Sequence, residues 1–401
     1  MTDSHDVVII GAGIVGLATA MKLLARDPKR KVAVVEKEEQ PGSHQTGHNS
    51  GVIHSGIYYR PGSLKALLCV SGSAQLVRFC RDHGVSHEVC GKVVVATRPE
   101  EAAGLHELHR RGTANGVPGL RLLKPGEVRA FEPHVRCLSG LHVPTTGIVD
   151  FQRVAHAYGA VFRDSGGTVY LGHRVEGIRK ESAGVRIETN RGSLFTRMIV
   201  NCGGLYSDHI ARMAGVTPPC RIVPFRGEYY QIRPEKSHLV RNLIYPVPDP
   251  RFPFLGVHFT RMINGKVEAG PNAVLAFARE GYRKSSVCLP ELMEVLAYGG
   301  FWRMASRYWR PGLQEVVRSH SRDRFTKALQ ELVPEIGPED LAPGGAGVRA
   351  QALGHDGKLL DDFVVMRSEH MVHVLNAPSP AATSSLAIAD HILDVVKAML
   401  H

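Results

Sequence analysis

No stretch of this chain approaches the roughly 18 consecutive apolar residues of a membrane-spanning helix, so an integral helical membrane protein is excluded. The opening MTDSHDVVIIG runs straight into a strand pattern. It lacks the charged and apolar regions of a secretory leader and the Arg- and Ser-rich character of a transit peptide, so a cytoplasmic location is expected. Cysteines stand at 69, 80, 90, 137, 202, 220 and 288, with no C-x-x-C pair and no Cys/His metal spacing. An odd number cannot complete a disulfide framework, so we expect a reducing compartment and no structural metal. Basic runs of five or more residues are missing too, as are the stacking motifs of RNA-binding modules, which argues against nucleic acid as a partner.

What is present points to a two-part globular protein. Single cores stop growing near roughly 250 to 300 residues, and the chain has 401. Hydrophobic residues make up 43% and charged residues 22%, ordinary values for a folded soluble chain. A net charge of +11 favours an anionic partner: a phosphorylated cofactor, a dicarboxylate, nucleic acid or an acidic membrane surface, and charge alone does not choose among them.

The segment DVVIIGAGIVGLATAMKLLARDPKRKVAVVEK reads as strand (residues 6–10), glycine-rich turn, helix to about residue 25, and strand (32–35). Gly11 permits the tight turn, Gly13 lets the backbone approach a pyrophosphate, and Gly16 lets helix and strand pack closely. The helix N-terminus, with Ile14 and Val15, then faces the phosphates. Glu36 ends the second strand, where its carboxylate accepts from ribose hydroxyls; that disfavours a 2′-phosphate. A dinucleotide site follows. After Glu36 and Lys37 the chain leaves the alternating pattern for the polar loop QPGSHQTGHNSG, which suits a buried flavin. His44, Gln45, Asn49, Ser50, Gly51 and Val52 are the candidate contacts there. Much later, SLFTRMIVNCGGLYSDHIARMAG returns a strand to the same sheet, ending at Asn201, Cys202 and Gly203, so an insertion lies between. Val175 and Gly347 complete the cofactor set. A strand at residues 372–375 leads to a helix opening near Ala381, Ala382 and Thr383, whose positive end suits an anionic reduced flavin.

The strings GAGIVGLATA, HQTGHNSGVIHSGIYYRPGSLKALLC, FLGVHFT, GVRAQAL and NAPSPAATSS together resemble the L-2-hydroxyglutarate dehydrogenase/oxidase family, within the D-amino-acid oxidase-like FAD-dependent oxidoreductases. The resemblance spans almost the whole chain. It implies FAD, held non-covalently, and oxidation of L-2-hydroxyglutarate to 2-oxoglutarate. A covalent histidyl link through His48 or His54 is the alternative use of those residues. Another oxidoreductase of the same fold, acting on amines, sarcosine, glycine or glycerol 3-phosphate, is the rival activity; an RNA-modifying flavoprotein is a more distant one.

Oxidising a carbon that carries hydroxyl and carboxylate groups sends a hydride to flavin N5 and needs a carboxylate clamp and a proton acceptor. Arg349 in GAGVRAQAL is the expected clamp, since guanidinium grips carboxylate bidentately. A second carboxylate asks for further donors, with Tyr58, Tyr59, Arg60, Arg226 and Arg261 as candidates. Two histidines compete for the base. His54 lies in HNSGVIHSGIYY, where glycines 47, 51 and 56 are expected to bring the backbone against the flavin. His258 shares a strand face with Gly256 and Thr260, opposite Leu255, Val257 and Phe259.

The expected fold is α/β plus α+β: a Rossmann-like FAD-binding domain with an inserted substrate domain on a mostly antiparallel sheet. Residues 1–90, 150–220 and 340–401 are assigned to the first, 91–149 and 221–339 to the second. Ser63 is expected to cap a helix from Leu64 to about His83, apolar at 64, 67, 68, 76, 77 and 80. Both tryptophans fall in FWRMASRYWR, residues 301–310, with Arg303, Arg307 and Arg310. Aromatics among arginines suit peripheral contact with an anionic inner membrane and electron delivery to quinone; dioxygen is the alternative acceptor.

Overall fold

The computed structural model describes residues 3–249 and 256–399. Leu255, part of the alternation expected around His258, lies outside the described residues.

The strand Asp3–Ile10 carries an unbroken apolar run in its second half, buried on both faces as the centre of a parallel sheet must be. Val32–Val35 and Gly192–Asn201 flank it, both parallel to it. Thr168–Tyr170 extends one side; Met371–Asn376 adds in parallel at the end of Gly192–Asn201. Antiparallel Val175–Glu181, Gly184–Thr189 and Val364–Ser368 complete an eight-stranded sheet among the described residues. One face packs Val7 and Ile9 against Leu17, Tyr158 and Ile392 of three helices, Ile14–Arg26, Phe151–Asp164 and Ser385–Lys397. The other face packs Val8 and Ile10 against Ile178 and Ile187. Gly16 is where helix and first strand meet: a Cβ there would lie 2.0 Å from the Gly11 carbonyl oxygen, so no side chain fits.

A second, mostly antiparallel sheet has nine strands among the described residues. At its heart Cys220–Ile232 pairs with Leu341–Gly354 from end to end. Next to Cys220–Ile232, in spatial order, lie Val267–Gly270, His258–Arg261, Leu243–Pro246, Lys92–Ala96 and Ser139–Val143. Leu341–Gly354, assigned from sequence to the FAD-binding segments, is thus hydrogen-bonded within the second sheet. Its run of glycines and alanines carries little alternation from which its sheet could be read.

The helix Leu64–Asp82 starts as expected, with Ser63 Oγ accepting from the Ala66 amide. The Asp362 carboxylate caps it further, accepting from the Leu64 and Lys65 amides at 3.0 Å each. Leu67, read as part of its apolar stripe, is exposed instead. The C-terminal helix begins at Ser385, later than its sequence suggests. Ala381, Ala382 and Thr383 form the preceding turn, closed by the Ser384 amide donating to the Pro380 carbonyl.

Candidate active site

A cavity of about 1040 Å³ is lined by residues of both large sheets. One end is built from the glycine turn. Gly11 has φ +105°, open only to glycine, and a Cβ there would meet the Cys202 carbonyl at 2.6 Å. Gly13 faces open space, where a Cβ would find only Thr46 Oγ1 at 3.5 Å. Glu36 is held on both oxygens, Oε2 accepting from the Ala12 amide at 2.7 Å and Oε1 from the Glu38 amide at 3.0 Å. Its remaining lone pairs point chemistry toward hydroxyl donors.

Most of the expected cofactor contacts line this cavity: Gly11, Gly13, Ile14, Val15, Glu36 and Lys37 at the turn, then His44, Gln45, Asn49, Ser50 and Val52 of the polar loop. Val175, Cys202, Gly203, Gly347, Ala381, Ala382 and Thr383 line it as well. Three residues do not. Gly16 serves packing alone. Asn201 is fully buried, its amide donating to the Ser207 carbonyl while its oxygen accepts from Gly203 N, so it shapes the turn from behind. Gly51 packs against Val149 O, 2.7 Å from where its Cβ would be, and Gly47 and Gly56 likewise abut protein atoms. At those three glycines the space a side chain would take is therefore filled by protein. The Ile14 amide is already bonded to Thr46 Oγ1 at 3.0 Å, which leaves the Gly13 and Val15 amides for phosphate. His44 binds Tyr282 and Glu38, and His48 stacks on the same tyrosine at 4.1 Å, so both anchor the loop.

The opposite end gathers ionisable side chains. His54 is tied by its backbone amide to Thr383 Oγ1 at 3.0 Å. Its Nδ1 is buried without a hydrogen-bond partner among the described residues. His258 stacks on Tyr245 with centroids 3.9 Å apart and bonds Gly256 O through Nδ1 at 2.8 Å. A carbonyl only accepts, so Nδ1 carries the proton and Nε2 is the basic nitrogen. Burial pushes both histidines down to about 3, helped by the charges of Lys92 and Arg349. Each is a neutral imidazole at working pH.

Arg349, on Leu341–Gly354, lines the cavity with Tyr229, whose hydroxyl feels its charge. The ladder shifts register between Glu228 and Tyr230, the kind of bulge that re-aims a side chain, and Tyr229 sits at that shift. Tyr58, Tyr59 and Arg60 line the same end. Arg226 and Arg261 do not: Arg226 is buried against Glu228 and the Arg283 carbonyl, and Arg261 holds Glu88 at 2.6 Å. Both are structural.

Residues 6–395 match the family described as FAD dependent oxidoreductase. The L-2-hydroxyglutarate dehydrogenase of Indibacter alkaliphilus is 54% identical over 390 residues, covering 97% of this chain and 98% of that one. The chain belongs to the L-2-hydroxyglutarate dehydrogenase family of FAD-dependent oxidoreductases. The human mitochondrial L-2-hydroxyglutarate dehydrogenase is 46% identical, over 99% of this chain and 89% of that one. In fold the chain is similar to L-alpha-glycerophosphate oxidase from Mycoplasma pneumoniae, solved with FAD bound: TM-score 0.82, 22% identity, 99% and 95% of the two chains covered.

As a member of this family the chain takes FAD, and its residues fit that group. The open face of Gly13 and the Gly13 and Val15 amides would hold the pyrophosphate, Glu36 the ribose, and the Ala381–Thr383 turn the far ring. Sequence reasoning missed Thr46, Tyr229, Tyr245 and Lys92. Thr46 lies in the polar loop with no spacing signal of its own; the others lie on strands whose side-chain direction no local pattern fixed.

Proposed function

We propose that the chain oxidises L-2-hydroxyglutarate to 2-oxoglutarate, with FAD held non-covalently. The observation carrying this reading is one cavity end that combines an arginine, a neutral histidine of fixed tautomer and a group of tyrosines, with Arg60 beside them. Arg349 grips the carboxylate next to the reacting carbon, and Tyr58, Tyr59 and Arg60 attend the distal one. His258 Nε2 accepts the hydroxyl proton; His54, lacking that orienting carbonyl bond, shapes the wall beside it. Bound FAD supplies the acceptor for the hydride leaving the same carbon. A dianionic substrate offsets the cationic field of Arg349 and Lys92, so the imidazole becomes more basic when substrate is present. The two sheets divide the work, the first holding the nucleotide and the second the acid.

Anaerobic mixing tests this: L-2-hydroxyglutarate bleaches the yellow flavin absorbance, while the D-enantiomer, lactate, glycine and glycerol 3-phosphate do not. Bleaching by glycine or glycerol 3-phosphate in preference to the diacid overturns it. A flavin mass retained on the denatured chain would overturn non-covalent binding.

For the electron acceptor we favour a membrane quinone over dioxygen. Trp302, Trp309, Leu313 and Val316 on Gly299–His320, a segment kinked at Tyr308, are all exposed. Arg303, Arg307 and Arg310 are exposed among them. Such a face suits an anionic interface, and among the described residues no helix is long and apolar enough to cross a membrane. Sedimentation with anionic liposomes at low salt is expected; failure to bind them removes the membrane from the scheme.

A further inference from the structure

Two buried lysines near the cavity differ in one respect. Lys65 has an ion partner, Asp361, at 2.8 Å. Lys92 is 2% exposed and has no carboxylate acting on it among the described residues. Its Nζ instead lies over two aromatic rings, 4.5 Å from the centroid of Tyr58 and 4.6 Å from that of Tyr245. It also lies 3.4 Å from the Tyr58 hydroxyl. Tyr58 and Tyr245 both line the cavity, so the ammonium sits directly behind its wall. Cation–π contacts soften the desolvation of a buried charge without replacing an anion.

An ammonium has no lone pair, so it can only donate to the Tyr58 oxygen. We propose that Lys92 is a positioning residue for substrate recognition, committing the Tyr58 hydroxyl to donate its own hydrogen into the cavity, to the carboxylate remote from the reacting carbon. The proposal rests on the dicarboxylate reading above. The groups facing Lys92 are Tyr58, Tyr245, Cys69 of the helix Leu64–Asp82, His54 and His258. None is anionic at neutral pH: burial pushes the tyrosines up and Cys69 up to about 12. The missing negative charge is the substrate's. Burial also pushes Lys92 down to about 7. Above that pH the neutral amine accepts from Tyr58, the bond reverses, and the cavity loses its donor.

The test compares L-2-hydroxyglutarate with L-2-hydroxypentanoate, the same five-carbon acid with a methyl in place of the distal carboxylate. We expect K92M to lower the kcat/KM ratio of diacid to monoacid by roughly tenfold to a hundredfold, the worth of one charge-assisted hydrogen bond, mainly through KM. Y58F does the same, and the double variant is no worse than either single one, because the lysine acts through the tyrosine. In wild type, KM for the diacid rises above pH of about 7 and KM for the monoacid stays flat; in K92M the diacid rise is gone. Equal losses for both acids, multiplying losses in the double variant, or a wild-type diacid KM that ignores pH overturns the proposal. Should K92M not retain FAD, Y58F and the wild-type pH profile decide by the same criteria. A wild-type enzyme that the diacid does not reduce shows instead that the dicarboxylate reading has failed, and this proposal falls with it.

Discussion

The two ends of the cavity are made in different ways. The nucleotide end is chiefly backbone: a glycine turn, two free amides and one carboxylate, nearly all within the first 36 residues. The end proposed for the substrate is all side chain, drawn from the loop at 54–60 and from separate strands at 92, 229, 245, 258 and 349. Backbone recognition tolerates no added atom, because the ligand and the protein compete for the same space. Side-chain recognition tolerates loss in degrees, since each group contributes a separable interaction.

Substitutions sharpen that contrast. G11V forces a Cβ to within 2.6 Å of the Cys202 carbonyl oxygen at a φ of +105°; purified protein is expected to be colourless, and a yellow product would break the comparison. H258Q keeps its flavin but loses kcat by roughly a hundredfold to ten-thousandfold, the range of a missing general base. R349M loses kcat/KM by roughly a hundredfold to a thousandfold, chiefly through KM. If H258Q and R349M exchanged these signatures, the roles of base and clamp would be reversed.

The histidines also tie stability to pH. Their folded values lie near 3, against an unperturbed value of 6.5. Because the folded values are depressed, neutral His54 and His258 contribute fully above pH 6.5, and their contribution is lost as pH falls toward 3. Holoenzyme melting followed by flavin fluorescence is expected to drop with acid over that window, and less steeply in H258Q. The smallest effect is at Thr46: T46V removes one acceptor from the Ile14 amide, about 1 kcal/mol. FAD is then held a few-fold less tightly, with substrate KM unmoved.

Legibility followed the same division. Gly11, Gly13 and Glu36 were readable because a turn, a helix start and a strand end lie within one short segment, where local spacing dictates geometry. The place of Arg349 and His258 on the cavity wall followed from residue type, and for His258 also from its alternation with buried Val257 and Phe259, while their roles in the chemistry stand as proposed. Lys92 was invisible: in KVVVAT it reads as the polar first residue of an apolar strand, and only the folded sheet puts two tyrosine rings around it. Asn201 misled for the opposite reason. Its place beside Cys202 and Gly203 suggested a ligand contact, whereas the amide is used up inside the turn. Leu341–Gly354 was misplaced because pairing partners far away in sequence, not its own composition, decide which sheet a glycine-rich strand joins.

His258, Tyr245 and Lys92 stand on three consecutive strands of the second sheet. Neighbouring strands are separated by about 4.8 Å, a distance fixed by main-chain hydrogen bonding. On the reading proposed above, the base His258 and the lysine behind Tyr58 are therefore held at a separation set by main-chain bonding, which no small shift of the scaffold alters. Chain-length preference would then be set at the groups proposed to touch the two carboxylates, Arg349 and Tyr58, and would be adjustable there by single substitutions while the framework stays untouched.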